Sequence, residues 1–262
     1  MRVLFIADIV GKPGRQVTHA LLPRLRNERA VDVVIANGEN LAGGYGVTPG
    51  LVAGLFEDGV DVITSGNHIW DRREGLEVLE KEPRVLRPAN YPAGNPGSGH
   101  AVIPVHDTQL AVLNLQGRVF MTSIDDPFRT GRALVDELRA ETNNIVIDFH
   151  AEATAEKLAF AHFIDGLVSA VVGTHTHVPT ADARVLSGGT AYVTDLGMTG
   201  SHAGVIGMRP QQAVQRQILG RRIRLEMASG ELRLQGAIVD IDVASGHATA
   251  IERIDLAYEE EG

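Results

Sequence analysis

Short aliphatic runs alternate with longer stretches of helical period along the first two-thirds of the chain. The runs at 3–7, 31–36, 60–64, 110–115, 145–149 and 167–172 are almost wholly apolar and of strand length. Strands covered on both faces carry such runs. Between them the pattern predicts helices at 16–29, from Pro49 to near Gly59, at 127–141 and at 154–166. Thr48-Pro49 and Asp126-Pro127 each set an N-cap residue before a proline at the first helical position, and Thr154 is placed to cap the last of these helices. The stretch 80–99 is rich in proline and glycine and reads as irregular. Strands that alternate with helices argue for α/β units. Beyond residue 180 the pattern changes: a hairpin is predicted over 183–195, turning at Gly188-Gly189, and 222–256 alternates apolar with polar, with turns at Ser229-Gly230 and Ser245-Gly246. That alternation suits an antiparallel meander with one buried face. The expected architecture is one domain over 1–262, a four-layer αββα sandwich of two mixed β-sheets with helices outside both, and the acidic end 259–262 is expected to be disordered.

Composition narrows the chemistry. The chain has 262 residues, 44% hydrophobic and 22% charged, which suits a globular enzyme. It has no cysteine, so disulfides and thiolate metal sites are excluded and His, Asp, Glu and Asn remain as ligands. Cysteine-free chemistry fits a reducing compartment, and a cytoplasmic location is expected. Arg2 leads straight into a strand-like run, so no secretory leader is expected, and no apolar run approaches the roughly 20 residues of a membrane helix. A formal charge of −9 speaks against a partner of duplex nucleic acid. It leaves a phosphate substrate open, because bound cations supply positive field locally.

The chemistry-bearing residues sit just past the strands. Asp8 follows the first run, Glu39 and Asn40 the second, Asn67 and His68 the third, His150 the fifth, and His175 and His177 the sixth. Strands of one parallel sheet release their ends on one side, so these groups are expected to converge on a single crevice. Carboxylate, imidazole and amide oxygen together suit hard-to-borderline divalent cations. The set exceeds the four ligands of one tetrahedral ion, and a bridging carboxylate with partners on either side would suit two ions. Each fragment alone has an ordinary reading as a cap, a turn or a near-core histidine; the ordered set is what points to a metal centre.

That ordered set resembles the calcineurin-like metallophosphoesterases, which carry D-x-H, G-D, G-N-H, a lone H and G-H-x-H after successive strands. Here the corresponding segments are Asp8-Ile9-Val10, Gly38-Glu39-Asn40, Gly66-Asn67-His68, His150 and Gly173-Thr174-His175-Thr176-His177. Val10 stands where a metal-binding His is usual, and Glu39 replaces Asp. These departures, with Asp8 to Arg15, Phe149-His150-Ala151-Glu152 and Thr194 to Gly200, resemble the YmdB-like branch, over about residues 2–210. The resemblance implies a metallophosphoesterase fold and a dinuclear, metal-dependent phosphodiesterase acting on cyclic nucleotides, including 2′,3′-cyclic ones. It implies that Asp8, Asn40 and His177 hold one ion, that Asn67, His150 and His175 hold the other, and that Glu39 bridges them. It implies a metal-bridging hydroxide as nucleophile, with His68 as the general acid that protonates the leaving oxygen; imidazole suits that task because it titrates near neutrality. Iron or manganese heads the list of cations, with zinc and magnesium as further options.

Several residues are left without a firm role. Tyr45 is a candidate for contact with a base, and Asp71 for orienting His68. Residues 11–15 lack the phosphate-loop pattern and read as a turn, with Lys12 or Arg15 near the substrate as an option. His202 is undecided. The alternatives to a cyclic-nucleotide phosphodiesterase are a phosphomonoesterase on small substrates, a metal-dependent amide or lactone hydrolase, and a non-catalytic nucleotide-binding regulator. A homo-oligomer is left open.

Overall fold

The computed structural model describes residues 1–259. Its strands, in chain order, are β1 (Arg2–Ile6), β2 (Asp8–Ile9), β3 (Val33–Asn37), β4 (Val62–Thr64), β5 (His100–Val105), β6 (Thr108–Gln116), β7 (Ile145–His150), β8 (Ala170–Thr174), β9 (Arg184–Val185), β10 (Ala191–Val193), β11 (Met198–Ser201), β12 (Leu232–Ile241) and β13 (Ala248–Tyr258). The α-helices are α1 (Gly11–Glu28), α2 (Pro49–Glu57), α3 (Arg73–Lys81), α4 (Pro127–Leu138), α5 (Thr154–Ile164) and α6 (Pro210–Leu219), with a 3₁₀ turn over Asn67–Trp70.

The strands form two mixed sheets. One runs β2-β11-β12-β1-β3-β4, with β13 paired to β12; the other runs β5-β6-β7-β8-β10-β9. In the first, β1, β3 and β4 are mutually parallel, and in the second so are β6, β7, β8 and β10. Strand period decides which side chains go where. Val3, Phe5, Val33, Ile35 and Val62 of the first sheet pack against Val112, Val146, Val172 and Val193 of the second. The alternate residues Leu4, Ile6, Val34 and Ala36 turn outward onto helix residues that include Val17 and Leu22 of α1 and Val52 of α2. On the far side Leu113, Ile145, Ile147 and Phe149 pack on Val135 of α4 and Phe160 of α5. The result is the four-layer αββα sandwich that the sequence predicts.

Asp126 caps α4 as predicted, accepting from the backbone N–H of Phe128 at 2.9 Å and of Arg129 at 3.3 Å. Thr48 makes no side-chain cap bond, and Thr154 lies inside α5, where Ala153 takes the N-cap position. Residues 11–15, expected to be a turn, form the start of α1, with Pro13 in the first turn where its missing N–H costs nothing. The hairpin turning at Gly188-Gly189 and the pairing of β12 with β13 are present. Residues 222–228, expected as a strand of the meander, run without one. Glu259 is exposed beyond β13, and the rest of the acidic end expected to be disordered, 260–262, lies outside the described residues. Among the described residues no helix is long and apolar enough to cross a membrane.

Candidate metal centre

The layer between the sheets is apolar along most of its length and polar at one edge. On the inward face, Ile35 gives way to Asn37, Val62 to Thr64, Val112 to Asn114, Val146 to Asp148 and then His150, and Val172 to Thr174. These polar side chains are buried and bond across the gap. Asp148 Oδ2 accepts from Asn37 Nδ2 at 3.0 Å and from Thr64 Oγ1, both of the opposite sheet, and Oδ1 accepts from Thr174 Oγ1 at 2.7 Å. Asn114 exchanges two 2.9 Å bonds with the backbone of Ser65 just beyond β4. Burial pushes the Asp148 carboxyl up to about 6, against the pull of His150 and the two threonines. The polar edge locks the sheets together where the chemistry sits.

Above that floor the strand-end residues meet. Asp8 opens β2, Glu39 and Asn40 follow β3, and Asn67 and His68 follow β4; His150 ends β7, and His175 and His177 follow β8. They come from two facing sheets, not from one parallel sheet as expected, because the carboxyl edges of both sheets open on the same side. His150 Nε2 lies 3.2 Å from Asn67 Oδ1, 3.2 Å from Glu39 Oε1 and 3.0 Å from His175 Nδ1. Asp8 Oδ2 accepts from the His175 backbone N–H at 3.3 Å, and its Oδ1 lies 3.7 Å from His177 Nε2. Thr174 Oγ1 spends its proton on Asp148, so His150 Nδ1, 2.9 Å away, must donate to it. That leaves Nε2 as the atom aimed at the cluster.

These donors fit a cation. Ligand atoms of Glu39, His150 and His175 lie within 4.8 Å of one another. Asp8 Oδ1 and Asn40 Oδ1 are buried with no hydrogen-bond partner, and a buried oxygen without a partner carries the full desolvation cost of its lone pairs. Both oxygens point to a ligand. Burial works against ionisation of Asp8 and Glu39, yet His177 and His150 respectively hold the two carboxyls below the usual carboxylate range. Burial lowers His150, and Glu39 and Asp8 more than offset it, so its imidazole rises to about 9. Burial and the charge of His150 push His175 down to about 3.

Gly66 is part of this geometry. A Cβ on Gly66 would stand 2.0 Å from His150 Cδ2 and 2.1 Å from Nε2, so only glycine lets the chain cross the imidazole. Gly66→Ala should displace His150 and lower metal content, read by elemental analysis of the purified variant, with the thermal midpoint changing far less than the metal content.

The loop that carries His175 and His177 is strained and held from behind. Both residues have positive φ, +102° and +63°, a region that non-glycine residues enter only when their surroundings compel it. Lys157 of α5, fully buried, donates to Thr174 O at 2.8 Å and to Asp195 Oδ2 at 2.7 Å. Asp195 in turn accepts from the backbone N–H of Thr176 at 3.2 Å and of Gly197 at 2.9 Å. The pair fixes the backbone on both sides of His175. Lys157→Met would leave the Asp195 carboxylate buried without its cation, at a cost of about 3–5 kcal/mol. Calorimetry should show that loss, and turnover should fall as well because the histidine loop is released.

His68 stands at the mouth. Its backbone N–H donates to Glu39 Oε2 at 2.9 Å, and its Nδ1 lies 2.7 Å from Asp71 Oδ2, the orienting contact expected from the sequence. The other ring nitrogen has no partner among the described residues, and the Tyr45 ring meets the imidazole edge-on at 4.9 Å. His68, Tyr45, Glu39, Asn40, His175 and His177 all line one crevice of ≈ 1090 Å³. Met198 to Met208, whose spacing makes no demand, folds against the site: Ile206 O lies 3.2 Å from His177 Nδ1. His202 is held by Met198 O at 3.1 Å and does not line the crevice, and Lys12 and Arg15 line a separate groove.

Sequence reasoning missed Asp148, Lys157 and Asp195 as supports. The signal was present: Asp148 interrupts an apolar strand two residues before His150, on the same face, and a carboxylate there must be paired. Lys157 had no comparable signal, since a lysine near the start of a helix reads as solvated. Glu152 was noted only within a motif; its Oε2 lies 3.1 Å from His175 Nε2 and orients that ring.

Two facing mixed sheets with this cluster at their shared edge define the metallophosphoesterase class of fold. The chain belongs to the YmdB-like protein family, whose model matches residues 4–254. It is 46% identical to the 2′,3′-cyclic-nucleotide 2′-phosphodiesterase of Bacillus subtilis over 254 residues, 97% of this chain and 96% of that one. A hypothetical protein from Thermus thermophilus superposes with a TM-score of 0.94 at 41% identity, covering 99% of this chain and all of the other. A phosphatase from Mycoplasma pneumoniae superposes with a TM-score of 0.93 at 32% identity, covering 98% and 93%.

Proposed function

We propose that this protein is a phosphodiesterase that opens 2′,3′-cyclic nucleotides with two divalent cations bound at the strand-end cluster. The observation that carries the reading is the grouping of Glu39, His150 and His175 within 4.8 Å, with Asn67 against His150, Asp8 against His175 and His177, and buried oxygens on Asp8 and Asn40 that have no partner among the described residues. Asp8, Asn40 and His177 would hold one cation, Asn67, His150 and His175 the other, and Glu39 would serve both. Iron or manganese is the expected pair, with zinc or magnesium also compatible with oxygen and nitrogen donors. When bound, such cations neutralise phosphate charge and make water acidic.

The chain's own groups supply the rest. Asp148 and Thr174 fix the tautomer of His150, Glu152 and the Lys157–Asp195 pair fix His175, and Asp71 aims His68. A water oxygen forms a bond to phosphorus and one ring P–O bond breaks. His68 gives its proton to the departing ribose oxygen, and the proton lost by the water restores the imidazole through solvent. Substrate reaches the site by the open crevice. The name borne by the Bacillus subtilis relative supports a cyclic nucleotide as substrate, and the cysteine-free composition supports a cytoplasmic setting.

The test is hydrolysis of 2′,3′-cyclic AMP, 3′,5′-cyclic AMP and p-nitrophenyl phosphate by protein loaded in turn with manganese, iron, zinc and magnesium. The reading requires turnover of the 2′,3′-cyclic substrate well above that of the monoester. Turnover of the monoester alone, or nucleotide binding without turnover under any cation, contradicts it.

A further inference from the structure

The crevice is bipolar. Its lining joins the acidic and imidazole cluster to a second wall built by α6 and the segment that follows it. That wall contributes Arg216, Arg222 and Arg224 to the lining, together with Val214. The three arginines are exposed, and none has a carboxylate partner among the described residues. Of the other eighteen arginines, ten pair with a carboxylate, as Arg2 does with Asp240 and Arg233 with Asp255. In a chain with 33 acidic and 24 basic side chains, three guanidinium groups that line one cavity with no carboxylate partner among the described residues are a local reversal of sign. A guanidinium presents a planar fork that matches phosphate oxygens.

Volume agrees with charge. The crevice encloses ≈ 1090 Å³, above the roughly 300–1,000 Å³ of clefts that bury a drug-sized molecule. A single cyclic mononucleotide held by the cluster and Tyr45 would leave the arginine wall without anion. Something longer, with more negative charge beyond its reacting phosphate, uses both ends. α6 has no buried residue, so it adds nothing to the core and serves as a wall of the crevice.

We propose that the wall of Arg216, Arg222 and Arg224 receives the backbone phosphates of an oligoribonucleotide whose 3′ end carries the reacting 2′,3′-cyclic phosphate. This rests on the hydrolytic reading above and names its substrate class: single-stranded RNA ends, with mononucleotides as the minimal case. The single strand threads the crevice from cluster to wall, so the overall negative charge of the protein is no obstacle.

The experiment compares 2′,3′-cyclic AMP with a 5′-phosphorylated ribotrinucleotide that ends in a 2′,3′-cyclic phosphate, on manganese-loaded protein across a salt series. The trinucleotide should show a kcat/KM on the order of tenfold higher at low salt, and a log–log salt slope steeper by about 1–2, as two or three phosphate contacts require. The triple variant R216Q/R222Q/R224Q should lose most of that preference and the added slope, and the corresponding triple lysine variant should keep much of the slope. Fluorescence anisotropy of the labelled trinucleotide product gives a second readout, with affinity falling in the glutamine variant. Circular dichroism checks that the variants fold, which substitutions at three exposed positions permit. Equal kcat/KM for the two wild-type substrates overturns the proposal and leaves the cyclic-nucleotide reading standing. So does an equal loss on both substrates in the glutamine variant accompanied by a change in sedimentation, which would make the wall a contact between copies. Absence of turnover on either substrate overturns both readings together.

Discussion

Glu39→Ala is expected to strip the protein of both cations and of measurable phosphodiesterase activity. Glu39 is the carboxylate grouped with His150 and His175 within ligand reach. Its Oε1 lies 3.2 Å from His150 Nε2, and its Oε2 accepts from the His68 backbone. It is buried to 1% exposure, so no water replaces it at low cost. Removal of a supporting partner behind a metal ligand commonly costs about 10–100-fold in affinity or activity. Removal of a carboxylate shared by two ions should exceed that. Metal analysis of the purified variant checks the expectation. Two ions still bound would show that Glu39 does not bridge, and one ion bound would show that it serves a single site. Glu39→Gln should separate charge from shape, since it keeps an oxygen in place but no longer balances His150.

His68→Ala is expected to leave metal content intact and to lower turnover by about 10²–10⁴-fold, the usual range for loss of a general acid. Among the described residues the imidazole forms no hydrogen bond to a partner of His150, and it lines the crevice with its Nδ1 held by Asp71. The loss should depend on the leaving group. A p-nitrophenyl diester departs without help and should be affected far less than a ribose oxygen, which needs a proton. Equal losses on both substrates would make His68 a binding residue, and loss of metal would make it a ligand. Asp71→Asn should act in the same direction more weakly, because the Nδ1 contact that orients the ring is weakened.

Much of this was legible because strand ends are legible. An apolar run that stops at Asp8, at His150 or at Gly173 marks both where a strand leaves the sheet and what it delivers there. Periodicity also placed α2, α4 and α5 to within a few residues. What it could not supply was the division of strands between two sheets. Parallel strands of either sheet carry the same signature, so the five residue-bearing strand ends read as one edge when they are two edges face to face. Strand β5 was missed because Pro104 interrupts it; the strand survives as an edge of its sheet, where a missing N–H faces no partner. Strand β11, Met198–Ser201, is short, with two small residues, and owes its conformation to β2 and β12 on either side. Helix α6 buries nothing, so no apolar stripe announced it. The buried supports were hidden for a related reason. Lys157 and Asp195 lie 38 residues apart in sequence, and only the folded chain shows that each explains the other.

The account as a whole requires that groups from Asp8 to His177 share cations. Anomalous diffraction from crystals of the purified protein, with elemental analysis of the same batch, tests this most directly. Two anomalous peaks are predicted, one beside Asp8, Asn40 and His177 and one beside Asn67, His150 and His175, with Glu39 between them and close to two ions per chain. A protein that binds no cation at this cluster under iron, manganese, zinc or magnesium would contradict the account.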